Sequence, residues 1–185
     1  MRPRTAYSIV STEKGHCAFA WHEGGVVRFQ LPLPTRAEAQ AQLLRRLPDA
    51  ESMEPDAERS DLAGQVRAYF AGKRIEFLTV RLDTGAQTTF FTRVYDFVRR
   101  MPWGTSTTYG AIAKELGAGP EGAREVGQAM AKNPLPLLIP CHRVLAAGGK
   151  LGGFSAPGGA ATKQQMLEME GLFKNNEEFA QASLF

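Results

Sequence analysis

The sequence predicts an α+β protein, with a mixed N-terminal region over residues 1–85, a mostly helical region over 86–175 and a tail at 176–185. Three observations point there. The stretch "GHCAFAWH" alternates with the two-residue period of a strand, Cys17, Phe19 and Trp21 on one face and His16, Ala18 and Ala20 on the other. The stretch "TTFFTRVYDFVRRM" instead carries Phe90, Val94, Phe97, Val98 and Met101 on one helical stripe. Two short helical segments around a Gly-containing turn then outline a helix-turn-helix, an outline shared by any antiparallel helix pair.

Taken in order, "EGG" offers a hairpin turn from the first strand into "VVRFQLPLP". "TRAEAQAQLLRRL" starts at a Thr35 cap and spaces Ala39, Leu43 and Leu44 as a helix does. "ESMEPDAERS" reads as a polar loop. A second helix carries Leu62, Val66, Tyr69 and Phe70 and ends near Gly72, and "EFLTVRLD" reads as another strand. After residue 85 the striped helix closes with Arg99 and Arg100, which suit a helix C-terminus. "PWGTST" breaks it. "TYGAIAKELG" follows a threonine cap and stops at Gly117, and "EGAREVGQAMAKN" begins a helix with Pro120 and Glu121 suited to its first turn. A glycine-rich connection, "GGKLGGFSAPGG", leads to a last helix, "ATKQQMLEMEG", stopped by Gly171; fraying is expected after Asn175.

Composition excludes several classes. At 185 residues, 43% hydrophobic and 22% charged, the chain has the make-up of an ordinary globular protein. No apolar run approaches the roughly 20 residues that span a bilayer, so no membrane association is expected. The opening "MRPRTAYSIVSTEKGH" lacks the apolar core of a signal peptide, so a cytosolic location is expected, or a nuclear one in a eukaryote. In such a reducing compartment Cys17 and Cys141 are expected as free thiols. Net charge is +3 with a pI near 9.0. The surplus is uneven: Ala86 to Lys150 holds eight Lys and Arg against four acids, whereas the residues before hold twelve against eleven. That field suits nucleic acid, and equally a solvated basic surface.

The chemistry concentrates in "NPLPLLIPCHRV", residues 133–144. Pro140 has a fixed φ and no amide hydrogen, so Cys141 belongs in a rigid loop or turn, its approach stiffened by Pro134 and Pro136. His142 and Arg143 beside the thiol are expected to lower its pKa. A thiolate attacks saturated carbon, which an alkoxide or a carboxylate does poorly. An inert buried cysteine and a Cys-His hydrolase remain open; a Cys-x-x-Cys redox site is excluded, because no second cysteine is near. His16, Cys17 and His22 do not make a metal set, since strand neighbours point to opposite faces.

"PCHRV" after "NP-P-LI" closely resembles the O6-alkylguanine-DNA alkyltransferase family. The resemblance extends through "TTYGAIA", "AREVGQAM", "GG-LGGFS" and "K--ML--EG", roughly Phe90 to Gly171. It implies a ribonuclease-H-like N-terminal domain and a helix-turn-helix domain bearing the reactive cysteine. It also implies a monomer, without cofactor or metal, that binds double-stranded DNA containing O6-alkylguanine. The minor groove would be engaged and the damaged base flipped out, because its alkyl group is out of reach within the stack. Arg124 would fill the vacated place, with Ala123 and Gln128 on the same DNA-facing helix. Tyr109 would crowd the phosphate and donate its proton to the departing guanine. Cys141 would take the alkyl group in one displacement, its proton passing through a water to His142, which Glu170 orients. Asn133 would tie the helix-turn-helix to the active-site loop. Main-chain groups of Cys141, Val144 and Ser155, with Met130 and Phe154, would form the guanine pocket.

The chain departs from the family pattern in three places. Glu125 and Gln128 stand where small residues are usual, the "FSAPGG" loop is longer, and Phe154 replaces a common tyrosine. The Cys and His that bind zinc in some relatives are missing. O4-alkylthymine remains a competing lesion. A non-catalytic lesion binder, a transcription regulator and a hydrolase are the rival functions.

Overall fold

The computed structural model describes residues 4–173, so the tail expected at 176–185 lies outside the described residues. The chain divides into two compact units. Among the described residues, one unit comprises 4–86 together with Pro134–Leu138, and the other Gln87–Asn133 together with 139–173.

In the first unit β1 (Ala6–Thr12), β2 (Gly15–His22) and β3 (Gly25–Leu33) form an antiparallel meander, and β4 (Glu51–Ser52) joins β1 in parallel, giving the order β3-β2-β1-β4. β2 is central, and Cys17 through Trp21 are all buried, so both of its faces are covered. Ala18 and Ala20 meet Tyr7 of β1 and Ala39 and Leu43 of α1 (Arg36–Leu44). α1 begins with a capping box: the Thr35 hydroxyl accepts from the Glu38 amide and Glu38 accepts from the Thr35 amide. α2 (Ala57–Phe70) lies against β1, and Asp56 caps it by accepting from the Arg59 amide. Residues 134–138 return to this unit, where the Phe29 amide donates to the Pro134 carbonyl at 3.0 Å.

Two expectations need correction here. "ESMEPDAERS" is not all loop, because Glu51–Ser52 pairs with the β1 edge and Asp56 already starts α2. "EFLTVRLD" is not a strand. Phe77 has φ of 30°, the Val80 amide turns back to the Phe77 carbonyl, and the ladder to β3 is an isolated bridge between Leu82 and Val26. A positive φ at a bulky aromatic interrupts the extended chain that apolar alternation suggested. β1, in turn, carries no clear alternation in "AYSIVST", and pairing with β2 defines it.

In the second unit α3 (Thr89–Arg99) is capped by Thr88 and buries Val94, Tyr95 and Val98; Phe90 and Phe97 of the expected stripe are half-buried. α4 (Tyr109–Glu115) and α5 (Gly122–Ala131) pack against each other, and α5 also meets α3. Thr108 caps α4 and Gly117, at φ of 67°, ends it. Glu121 is the N-cap of α5 rather than part of its first turn, and its side chain makes no capping bond. α6 (Gly159–Met169) ends at Glu170 and Gly171, the latter at φ of 85°. A two-residue parallel ladder of β5 (Thr107–Thr108) with β6 (Val144–Leu145) sets the start of α4 beside the segment that follows the cysteine.

Gly122 decides how closely α4 and α5 approach. A Cβ there would lie 2.5 Å from the Ala118 Cβ and 3.0 Å from the Ala113 Cβ, whereas a Cβ at Gly127 meets nothing within 4 Å. Gly122→Ala is therefore expected to cost about 1–3 kcal/mol through overpacking. Gly127→Ala should leave stability unchanged or raise it by up to about 1 kcal/mol. Denaturant titration of both variants checks the pair, and equal effects would refute the close approach.

Candidate active site

Cys141 opens a 3-10 turn, Cys141–Arg143, at the end of an apolar run. The approach is tightly constrained: Leu137 sits in the left-handed region at φ of 76°, and Pro140 supplies the N-cap. The Cys141 amide donates to the Ile139 carbonyl at 2.7 Å. Asn133, just past the end of α5, donates from Nδ2 to that same carbonyl at 2.9 Å. One carbonyl thus couples the C-terminus of α5 to the cysteine turn.

The thiol reaches a cavity of about 310 Å³ lined by Tyr109, Met130, Phe154 and Ser155, with Gly127, Ala131 and Gly153 completing the wall. Five of the residues expected at a reactive pocket, Cys141, Tyr109, Met130, Phe154 and Ser155, therefore converge. The Ser155 hydroxyl donates to the Ala131 carbonyl at 3.0 Å, tying the glycine-rich loop to α5. Val144 does not line the cavity: it is fully buried, and its carbonyl accepts from Lys163 Nζ at 2.6 Å. That bond uses one of the two lone pairs of the carbonyl and leaves the other for a further donor. Arg124 and Gln128 are exposed on α5 and Ala123 is half-buried, all outside the lining.

Behind the thiol lies a buried polar cluster. His142 Nε2 is 2.7 Å from Glu170 Oε1, and both side chains are fully shielded from solvent. Arg143 grips the same carboxylate from two sides, Nε to Oε2 at 2.8 Å and Nη2 to Oε1 at 3.0 Å, and Nη1 donates to the Met101 carbonyl. Burial opposes ionisation of Glu170, but the hydrogen bonds from His142 and Arg143 and the charge of Arg143 outweigh it and hold the carboxyl down to about 2. Burial also pushes the His142 pKa down against the pull of Glu170, so the imidazole is neutral. Its Nε2–H then donates to Glu170, leaving Nδ1 unprotonated.

This corrects the expected source of thiol activation. Arg143 is neutralised by Glu170 and His142 is uncharged, so neither favours the thiolate. Burial pushes the Cys141 thiol up. The groups that pull it down are the Asn133 side chain, the charge of Lys163 and the amides of Cys141 and His142. Lys163 is the residue that sequence reasoning missed. It is 1% exposed, lies 5.8 Å from the Tyr109 ring centroid and 6.0 Å from that of Phe154, and burial lowers its pKa to about 8. A signal existed: Lys163, Met166, Leu167 and Glu170 fall at i, i+3, i+4 and i+7, so one core-facing stripe carries both charges. Among the described residues no group of three or more His, Cys, Asp or Glu is placed to hold a metal ion.

Glu170→Gln should destabilise the protein by about 3–5 kcal/mol, because it leaves the buried Arg143 guanidinium without a counter-charge. Arg143→Met in that background should recover part of the loss. For a carboxyl depressed from 4.5 to about 2, the stabilisation is complete above pH 4.5 and lost as pH falls toward 2. Denaturant titrations across that window should lose about 3 kcal/mol in the wild type and much less in the double variant.

A family described as "6-O-methylguanine DNA methyltransferase, DNA binding domain" matches residues 89–172. A methylated-DNA–protein-cysteine methyltransferase of Metallosphaera sedula is 48% identical over 105 residues, which cover 56% of this chain and 62% of that protein. A protein of Thermus thermophilus named DNA base-flipping protein is 43% identical over 106 residues, 57% of this chain and 69% of its own. The crystal structure of Mycobacterium tuberculosis O6-methylguanine methyltransferase superimposes with a TM-score of 0.70 at 32% identity, covering 90% of this chain and 92% of that one. The M. tuberculosis protein has also been solved in complex with DNA. With that degree of likeness along nearly the whole length of a solved relative, the chain belongs to the methylated-DNA–protein-cysteine methyltransferase family.

Proposed function

We propose that this protein repairs duplex DNA by moving the alkyl group of O6-alkylguanine onto its own Cys141, once per molecule. The observation that carries the reading is a cysteine at the wall of a base-sized cavity, backed by a neutral histidine on a buried carboxylate. In the reaction the Cys141 sulfur forms a bond to the alkyl carbon as the bond from that carbon to guanine O6 breaks. The departing electron pair passes to the guanine, which takes a proton from the Tyr109 phenol; the thiol proton goes to His142 through a water. Burial raises the Tyr109 pKa, which keeps the phenol protonated and able to donate. The product is a thioether, which no group in the site can reverse, so the protein acts stoichiometrically and needs no cofactor or metal.

DNA engagement belongs to α4 and α5 as a helix-turn-helix in the minor groove. Arg124 fills the stack after extrusion, Ala123 and Gln128 sit on the same helix, and Asn133 couples that helix to the cysteine turn. The substrate pocket comprises Met130, Phe154 and Ser155. The first unit is read as ribonuclease-H-like, supported by its β3-β2-β1-β4 order with only β4 parallel to β1. A monomer in the cytosol, or in the nucleus of a eukaryote, completes the reading. A lesion-binding protein without transfer activity is the rival, and the thiol at the cavity argues against it.

Incubation with a methylated duplex should raise the intact mass by about 14 Da, with the label on the Cys141 peptide. Cys17 should stay unlabelled, since it is fully buried and burial pushes its thiol far up. Repeated turnover, or a label on Cys17, would refute the reading. Arg124→Ala should lose transfer from duplex DNA yet keep transfer from free O6-benzylguanine, because a free base needs no extrusion. Equal losses on both substrates would make Arg124 a residue of the fold instead.

A further inference from the structure

The helix-turn-helix carries no net charge. From Tyr109 to Lys132, Lys114, Arg124 and Lys132 are balanced by Glu115, Glu121 and Glu125. Proteins that hold duplex DNA through its backbone normally present an excess of cations there. The solvent face of α5 runs through Arg124, Gln128 and Ala131, and Gly127 and Ala131 line the Cys141 cavity on one flank. Glu125 lies on the other flank, in an open groove of about 340 Å³ with Phe90, Arg93, Leu116, Pro120 and Glu121. The Arg93 guanidinium in that groove donates to the Leu116 carbonyl at 3.0 Å, closing the end of α4. Neither Glu121 nor Glu125 makes a side-chain hydrogen bond or ion pair among the described residues.

A helix N-terminus ordinarily attracts phosphate through its free amides and its dipole. In α5 two exposed carboxylates stand in that place, one turn apart, beside Arg124. With α5 in a minor groove about 6 Å wide, the strand on that flank falls within the screening length of roughly 10 Å at 0.1 M salt. The carboxylate of Glu125 then repels the backbone whether or not the duplex carries a lesion. We infer that Glu125 is a release residue: it shortens residence on undamaged duplex, so that the protein leaves intact DNA quickly and stays long enough to react only where an extruded base occupies the Cys141 cavity. The inference rests on the DNA-repair reading above. Glu125 is outside the cavity and touches neither the thiol nor the base.

A charge series tests it, with Glu125→Gln neutral and Glu125→Lys positive, each checked for an unchanged melting temperature. Binding to unmodified duplex by fluorescence anisotropy should tighten roughly three- to tenfold for Glu125→Gln at low salt, and further for Glu125→Lys. The dependence of log K on log salt should steepen by about one along each step. Transfer from free O6-benzylguanine should not change. Transfer from an alkylated duplex diluted in a large excess of unmodified duplex should slow, because the variants linger on undamaged DNA. Unchanged or weaker binding by Glu125→Gln, with transfer intact, overturns the inference alone. A wild-type protein that transfers nothing from any alkylated substrate overturns the repair reading, and this inference with it.

Discussion

The ionised carboxylate of Glu170, buried where α6 ends, holds the reactive turn together. It accepts from Arg143 through two nitrogens and from His142 through one, so residues 142 and 143 are fixed immediately after the cysteine. Arg143 then reaches the Met101 carbonyl beyond α3, while Gly104 donates to Glu170 Oε2 at 3.4 Å. Three segments distant in sequence are thereby anchored to one buried charge. A buried ion pair is weak evidence for stability in itself, because desolvation offsets much of the attraction. Here its value is positional: the carboxylate is neutralised by arginine, which leaves the histidine uncharged and available as a base.

The electrostatics of the site follow from that pairing. With Arg143 and Glu170 cancelling, the side-chain charge that favours the thiolate is that of Lys163, held by the Val144 carbonyl beside Tyr109 and Phe154. Burial disfavours charge on both Cys141 and Lys163, and each favours the charged form of the other. Side-chain support for the thiolate thus comes from a lysine and from Asn133 rather than from the charge of its neighbours in sequence. The α4–α5 motif, by contrast, is neutral overall.

Much of this was legible in the sequence, and the exceptions have physical causes. The Thr35 cap, the α3 stripe and the Gly117 and Gly171 stops are local signals, and the helices they mark are present. The convergence of Cys141, Tyr109, Met130, Phe154 and Ser155 came from motif resemblance, and spacing alone does not yield it. β5 and β6 are two residues each and exist only as a pair, so no periodicity announces them. "EFLTVRLD" failed because its alternation is real but its backbone turns at Phe77. Arg143 read as a cation beside the thiol because the carboxylate that cancels it is 27 residues away. Lys163 was overlooked because lysines are rarely buried, although its place on the apolar stripe of α6 marked it.

The central claim is that Glu170 fixes His142 as a neutral imidazole with its proton on Nε2, ready to accept the thiol proton at Nδ1. Nitrogen-15 NMR of histidine-labelled protein between pH 5 and 8 tests this directly. The account predicts a neutral Nε2–H tautomer for His142 whose titration lies below the ordinary 6.5, because burial lowers its pKa. A His142 resonance that titrates near or above 6.5, or that reports the Nδ1–H tautomer, would contradict it.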